Sequence, residues 1–140
     1  MREILADRLW IGNAIEARDY RRLHELEIRA VVDVALEEQP GVPPREFIYL
    51  RYPLLDGIGN SPTTLTMAIR SIADLLRSDT RTMVACSAGM SRSPSLAAAA
   101  LAIVEQVDVN QKLNELAAAG SLDASPAFLQ EVVAILPRLK

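Results

Sequence analysis

Apolar residues along the chain fall into short runs and helical stripes, and their order predicts the architecture. Ile4-Leu5 and Leu9-Trp10-Ile11, separated by Ala6-Asp7-Arg8, predict two short strands joined by a turn, with Gly12-Asn13 ending the second. Alanines with Tyr20, Leu23 and Leu26 put a helical stripe on residues 14–26. Ala30 to Ala35 is rich in β-branched residues and suits a buried strand. Phe47 to Arg51 predicts the next strand, ending before Tyr52-Pro53. Ser61-Pro62 is a helix start, a capping hydroxyl followed by proline, and Leu65, Ile69, Ile72 and Leu76 continue it at helical spacing. Thr82 to Ala85 is a short apolar strand, and residues 92–105 form an alanine-rich helix expected to be deeply buried. Asp108 and Gln111 suggest a capping box for a helix ending near Gly120. Ser125-Pro126 opens a last helix carrying Phe128, Leu129, Val132, Val133 and Leu136. Strands alternating with helices imply an α/β fold with a mostly parallel sheet covered on both faces.

Composition narrows the functional classes. The chain has 140 residues, half of them hydrophobic, which suits one domain with a substantial core. A net charge of −3 argues against a general nucleic-acid binder. No basic run exceeds Arg21-Arg22, the N-terminus lacks a signal-peptide pattern, and the apolar run Leu96 to Val104 is too short to cross a bilayer. The single cysteine cannot form an internal disulfide or a metal cluster, so no metal and no cofactor is expected. The expectation is a soluble, cytoplasmic, monomeric protein.

Residues 84–94, Val-Ala-Cys-Ser-Ala-Gly-Met-Ser-Arg-Ser-Pro, carry the chemistry. Cys86 stands six positions before Arg92, after a strand and before a helix. A turn of small residues leading into a helix N-terminus makes an anion site. The helix dipole and a guanidinium both favour a cysteine in its charged form. Arg92 offers a planar fork that can grip two phosphate oxygens. One short segment thus supplies both a nucleophile and a phosphate cradle.

This segment resembles the C-x5-R signature of cysteine-dependent protein tyrosine phosphatases. Ala88, Gly89, Ser91, Arg92 and Ser93 bring it close to the dual-specificity subgroup, whose loop runs His-Cys-x-Ala-Gly-x-Ser-Arg-Ser. Ala85 replaces that histidine, a departure expected to weaken the enzyme without disabling it. Leu9-Trp10-Ile11-Gly12 is similar to the family's early strand, so the resemblance extends over nearly all of residues 1–140. It implies a five-stranded, mostly parallel sheet flanked by helices, with the loop at a strand's C-terminal end. It also implies that Cys86 attacks phosphorus to give a phosphocysteine, while N–H groups of Ser87, Ala88, Gly89, Met90, Ser91 and Arg92 and the Arg92 side chain bind the oxygens.

The proton donor in such a reaction is a carboxylic acid on another loop. Asp56 is the best candidate, thirty positions before Cys86, with Gly57 and Gly59 expected to let its loop bend toward the site. An aspartate before glycine is also an ordinary turn combination. Ser93 occupies the position from which the family's hydroxyl stabilises the departing sulfur, a role that capping the helix would not exclude. Ser91 is expected to shape the loop, and His24 to be a surface residue. The loop has no lysine, which points to phosphorylated protein or peptide substrates, either phosphotyrosine alone or phosphoserine and phosphothreonine too. A catalytically weak phosphoprotein-binding module and a phosphatase of non-protein esters are the competing readings.

Overall fold

The computed structural model describes residues 1–139. The N-terminal hairpin forms as the pattern predicts, with β1 at Arg2–Leu5 antiparallel to β2 at Leu9–Gly12. The remaining strands are β3 (Ala30–Ala35), β4 (Ile48–Leu54) and β5 (Thr82–Ala85). The sheet order is β1-β2-β5-β3-β4, and every pairing beyond the hairpin is parallel. β5 is therefore inserted between two strands that precede it in sequence.

Side-chain alternation sorts the sheet into two faces. Leu9, Ile11, Val32, Val34 and Val84 point into the larger core. That core is closed by α3 (Pro62–Arg77), α4 (Arg92–Glu105), α5 (Val109–Ala119) and α6 (Pro126–Ile135). Trp10, Val31, Met83 and Ala85 point the other way, into a smaller cluster with Leu23 and Ile28. The short helices α1 (Ala14–Ala17) and α2 (Tyr20–Glu25) lie on that second face.

On α3 all four stripe residues, Leu65, Ile69, Ile72 and Leu76, are buried. Burying each such side chain is worth about 1.5–3 kcal/mol, which fixes the helix against the sheet. On α4 every residue from Arg92 to Ala102 is buried, because alanines let the helix approach its neighbours on all sides.

The structure corrects several boundaries. The helical stripe over residues 14–26 is two helices, broken where Asp19 accepts from Arg22 N–H and caps α2. β4 runs through Tyr52 and Pro53 to Leu54; it lies at the sheet edge, where a missing N–H costs no ladder bond. Asp108 caps α5 through Asn110 N–H, and Gln111 turns instead to Glu115, so no capping box forms there. A reciprocal box forms at Asn13 and Glu16. On α6, Val133 faces solvent while Ile135 is buried. Among the described residues, no helix is long and apolar enough to cross a membrane.

Candidate active site

The carboxyl ends of the parallel strands lie along one edge of the sheet, and the residues just beyond them converge. Asn13 follows β2, Glu37 and Glu38 follow β3, Asp56 follows β4, and Cys86 follows β5. This is the ligand edge of an open α/β sheet, beside the point where the strand order reverses.

Residues 86–92 fold as a tight loop from β5 into α4. Cys86 is buried, and its Sγ accepts Gly89 N–H at 3.2 Å and lies 3.3 Å from Ser93 Oγ. The loop rests on the end of β2: Cys86 N–H donates to Gly12 O, and Ala14 N–H to Ser87 O. Gly89 has φ +76°, and a Cβ there would stand 2.7 Å from the Gly12 carbonyl carbon. Only glycine fits this position. Among the described residues, the backbone N–H groups of Ser87, Ala88, Met90 and Ser91 meet no protein acceptor. Ser91, at the N-cap of α4, gives the helix no side-chain cap, which leaves that positive end open.

Arg92 is almost wholly buried. Its Nη1 and Nη2 donate to the two Glu37 carboxylate oxygens at 2.6 Å each, and Nη1 also donates to Leu54 O at 2.7 Å. Nε is buried and has no acceptor among the described residues. Nη1 is therefore saturated, and the Nε–Nη2 edge keeps two N–H groups uncommitted, the spacing of a fork for two oxygens of one anion. Burial works against the Arg92 charge, but the Glu37 hydrogen bonds, with attraction to Glu37, Cys86 and Asp56, outweigh it and raise its pKa. The Arg92 hydrogen bonds likewise hold the Glu37 carboxyl down at about 2, against a smaller opposing effect of burial. Arg51 fixes the turn that presents Glu37, its Nη2 reaching the carbonyls of Ala35, Leu36 and Glu38.

Asp56 is exposed at the mouth of this arrangement, and its carboxylate accepts Ser91 Oγ–H at 2.7 Å. Ser91 Oγ in turn accepts Ser125 N–H, and Ser95 Oγ–H donates to Ser91 O. Ser87 Oγ–H donates to Glu38 at 2.8 Å. Asn60 closes the loop around Asp56, bonding Leu55 N–H and the carbonyls of Leu55 and Gly57.

The structure thus brings Cys86, Ser91, Arg92, Ser93 and Asp56 to one place. Ser93 lies inside α4 against the sulfur rather than capping the helix. His24 is an exposed helix residue, and Asp33 is a buried strand residue beside Ala85 whose carboxylate is bonded by Tyr49. Sequence reasoning missed Glu37, Glu38 and Ser125. The one available signal was the position of the Glu37-Glu38 pair, directly after a buried strand whose carboxyl end faces the site. Among the described residues, no cluster of His, Cys, Asp and Glu could hold a metal ion.

The fold recurs in known proteins. The model of a family described as "Polymorphic toxin system, DSP-PTPase phosphatase" matches residues 6–106. Human DUSP28 superposes with a TM-score of 0.85 at 19% identity, covering 99% of this chain and 97% of its own. PTPMT1 superposes with a TM-score of 0.79 at 18% identity, covering 98% and 94%, and has also been solved in complex with PI(5)P. The human tyrosine phosphatase-like serine/threonine/tyrosine-interacting protein gives a TM-score of 0.79 at 19% identity, covering 96% and 93%. At these identities the likeness is one of fold. No curated protein matches the sequence.

Proposed function

Because the chain belongs to the DSP-PTPase phosphatase family of polymorphic toxin systems, we propose that it hydrolyses phosphate monoesters on protein through a phosphocysteine. The observation that carries this reading is the pairing of a loop sulfur, bonded by Gly89 N–H, with a guanidinium whose Nε–Nη2 edge is left uncommitted. That edge and the uncommitted loop N–H groups of Ser87, Ala88, Met90 and Ser91 take the three non-bridging oxygens, where charge is held through the transition state.

In the first step the Cys86 thiolate forms an S–P bond as the P–O bond to the leaving group breaks, and Asp56 gives its proton to the departing oxygen. In the second step Asp56 takes a proton from water, the water oxygen bonds phosphorus, and the S–P bond breaks. Ser93 Oγ–H donates to the sulfur as it regains its charge. Phosphate leaves, and Cys86 and Asp56 return to their starting states. The whole chain acts as one catalytic domain.

The loop from Ser87 to Ser91 carries no lysine, and Glu37, Glu38 and Asp56 surround it. Such a rim suits a singly phosphorylated side chain better than a ligand with several phosphates. Phosphotyrosine is the leading substrate, and the peptide comparison decides whether phosphoserine and phosphothreonine are accepted too.

The test is turnover of an aryl phosphate and of phosphotyrosine and phosphothreonine peptides by the wild type and by Cys86→Ser. The expected result is turnover of aryl phosphate and phosphotyrosine that Cys86→Ser abolishes while phosphopeptide binding remains. Binding without turnover in the wild type would make the chain a phosphoprotein-binding module. Faster turnover of phosphoinositides than of any peptide would place its substrates outside protein.

A further inference from the structure

Asp56 is held from two directions, and both holds come from one helix. Its carboxylate is fixed by Ser91 Oγ–H, and Ser91 Oγ accepts the backbone N–H of Ser125, the N-cap of α6. Its loop is closed by Asn60, which bonds the backbone on both sides of Asp56, at Leu55 and Gly57. Asn60 is in turn tied to α6: Glu131 accepts its Nδ2–H at 2.9 Å and its backbone N–H at 3.3 Å, as well as Gly59 N–H at 2.9 Å.

In the folded state α6 is seated on the core by Phe128, Val132 and Ile135, so both contacts are referred to the core through it. Gly59, at φ +97°, lets the backbone turn its N–H toward Glu131. Both contacts lie beyond residues 6–106, the stretch that matches the family.

We propose that Glu131 is a positioning residue for the proton donor: by anchoring Asn60 and Gly59 to α6, it holds Asp56 over the phosphate loop in the geometry for proton transfer. The proposal rests on the phosphatase reading above. Glu131 touches neither the sulfur nor the phosphate site, so its influence passes through the Asp56 loop alone. A proton donor displaced by about 1 Å loses up to about 10²-fold in rate, and only where a proton is needed.

The test compares Glu131→Ala, Glu131→Gln and Asp56→Asn on an alkyl phosphate and on an activated aryl phosphate. Glu131→Ala should lower kcat on the alkyl phosphate by about tenfold and leave KM and the aryl phosphate rate within about twofold. Glu131→Gln, which keeps an acceptor for Asn60, should recover most of that loss. In an Asp56→Asn background Glu131→Ala should have no further effect. Equal loss on both substrates, or loss additive with Asp56→Asn, would overturn the proposal. Amide exchange supplies a readout independent of turnover: Gly59 and Asn60 should exchange faster in Glu131→Ala. A wild type inactive on both esters would overturn the phosphatase reading itself. The exchange rates would then decide alone: faster exchange upholds Glu131 as the anchor of this loop, and unchanged rates refute it.

Discussion

Replacing Gly89 by alanine tests whether the phosphate loop is built as described. The residue sits at φ +76°, where an L side chain costs about 1–2 kcal/mol. Its new Cβ would meet the Gly12 carbonyl carbon at 2.7 Å and Asn13 N and Gly12 O at 3.0 Å. These are backbone atoms at the end of β2, held by the ladder to β5 and by Cys86 N–H on Gly12 O, so they cannot yield cheaply. Overpacking of this kind adds about 1–3 kcal/mol. The total, about 2–5 kcal/mol, is a large part of the 5–15 kcal/mol that typically holds a domain together. The chain can relieve it only by lifting the loop, which removes Gly89 N–H from the sulfur and spoils the anion site. Gly89→Ala should therefore unfold at a lower urea midpoint with unchanged slope and lose inhibition by inorganic phosphate or vanadate even where it is folded. Gly57→Ala is the control for stability: its Cβ meets nothing within 4 Å, and its unfolding free energy should stay within about 0.5 kcal/mol of wild type. A Gly89→Ala protein with wild-type midpoint and wild-type vanadate affinity would refute the packing argument.

Two further outcomes follow from the charges around the loop. The Glu37 carboxyl is held at about 2, first by the Arg92 hydrogen bonds, so its pairing adds stability above the ordinary value near 4.5 and loses it as pH falls toward 2. Glu37 is 54% exposed, so screening limits that contribution to about 1 kcal/mol; Glu37→Gln should be less stable by that amount at neutral pH, with the gap closing in acid. Urea midpoints of both proteins across the acid range check this, and a gap independent of pH would contradict it. Asp56→Asn should slow alkyl or peptide phosphates by about 10²-fold or more and flatten the alkaline limb of the pH–rate profile, while sparing an activated aryl phosphate. Equal loss on every ester would make Asp56 a turn residue.

How much could be read from the sequence depended on how far apart the cooperating residues lie. Cys86, Arg92 and Ser93 lie within eight consecutive residues, so their spacing alone put the sulfur, the guanidinium and the hydroxyl together. β3 and β5 were found residue for residue, because buried strands in a parallel sheet read as unbroken apolar runs. β4 was read too short, since Pro53 is a strand breaker everywhere except at an edge, and edge position is a property of the sheet. Glu37 and Glu131 are ordinary surface glutamates in sequence. They acquire roles only when the fold carries one to Arg92 and the other to Asn60, across 55 and 71 positions. The closure of the Asp56 loop by Asn60 and Glu131 was not legible, because carboxamide-to-backbone closure leaves no pattern that distinguishes it from any other turn.

The two halves of the site stand on ground of different depth. The phosphate loop is the cap of α4, a helix buried at every position from Arg92 to Ala102. The Asp56 loop hangs from an edge strand and from α6, which buries only Phe128, Val132 and Ile135. Local opening is cheapest where burial is shallowest, so α6 and the edge should detach before α4 does. On the proposed mechanism, warming or mild denaturant would then leave a chain that still captures phosphate but no longer releases the alcohol. Vanadate binding that survives to a higher urea concentration than turnover of an alkyl phosphate would reveal that intermediate, and coincident loss of the two would show the domain opening as one unit.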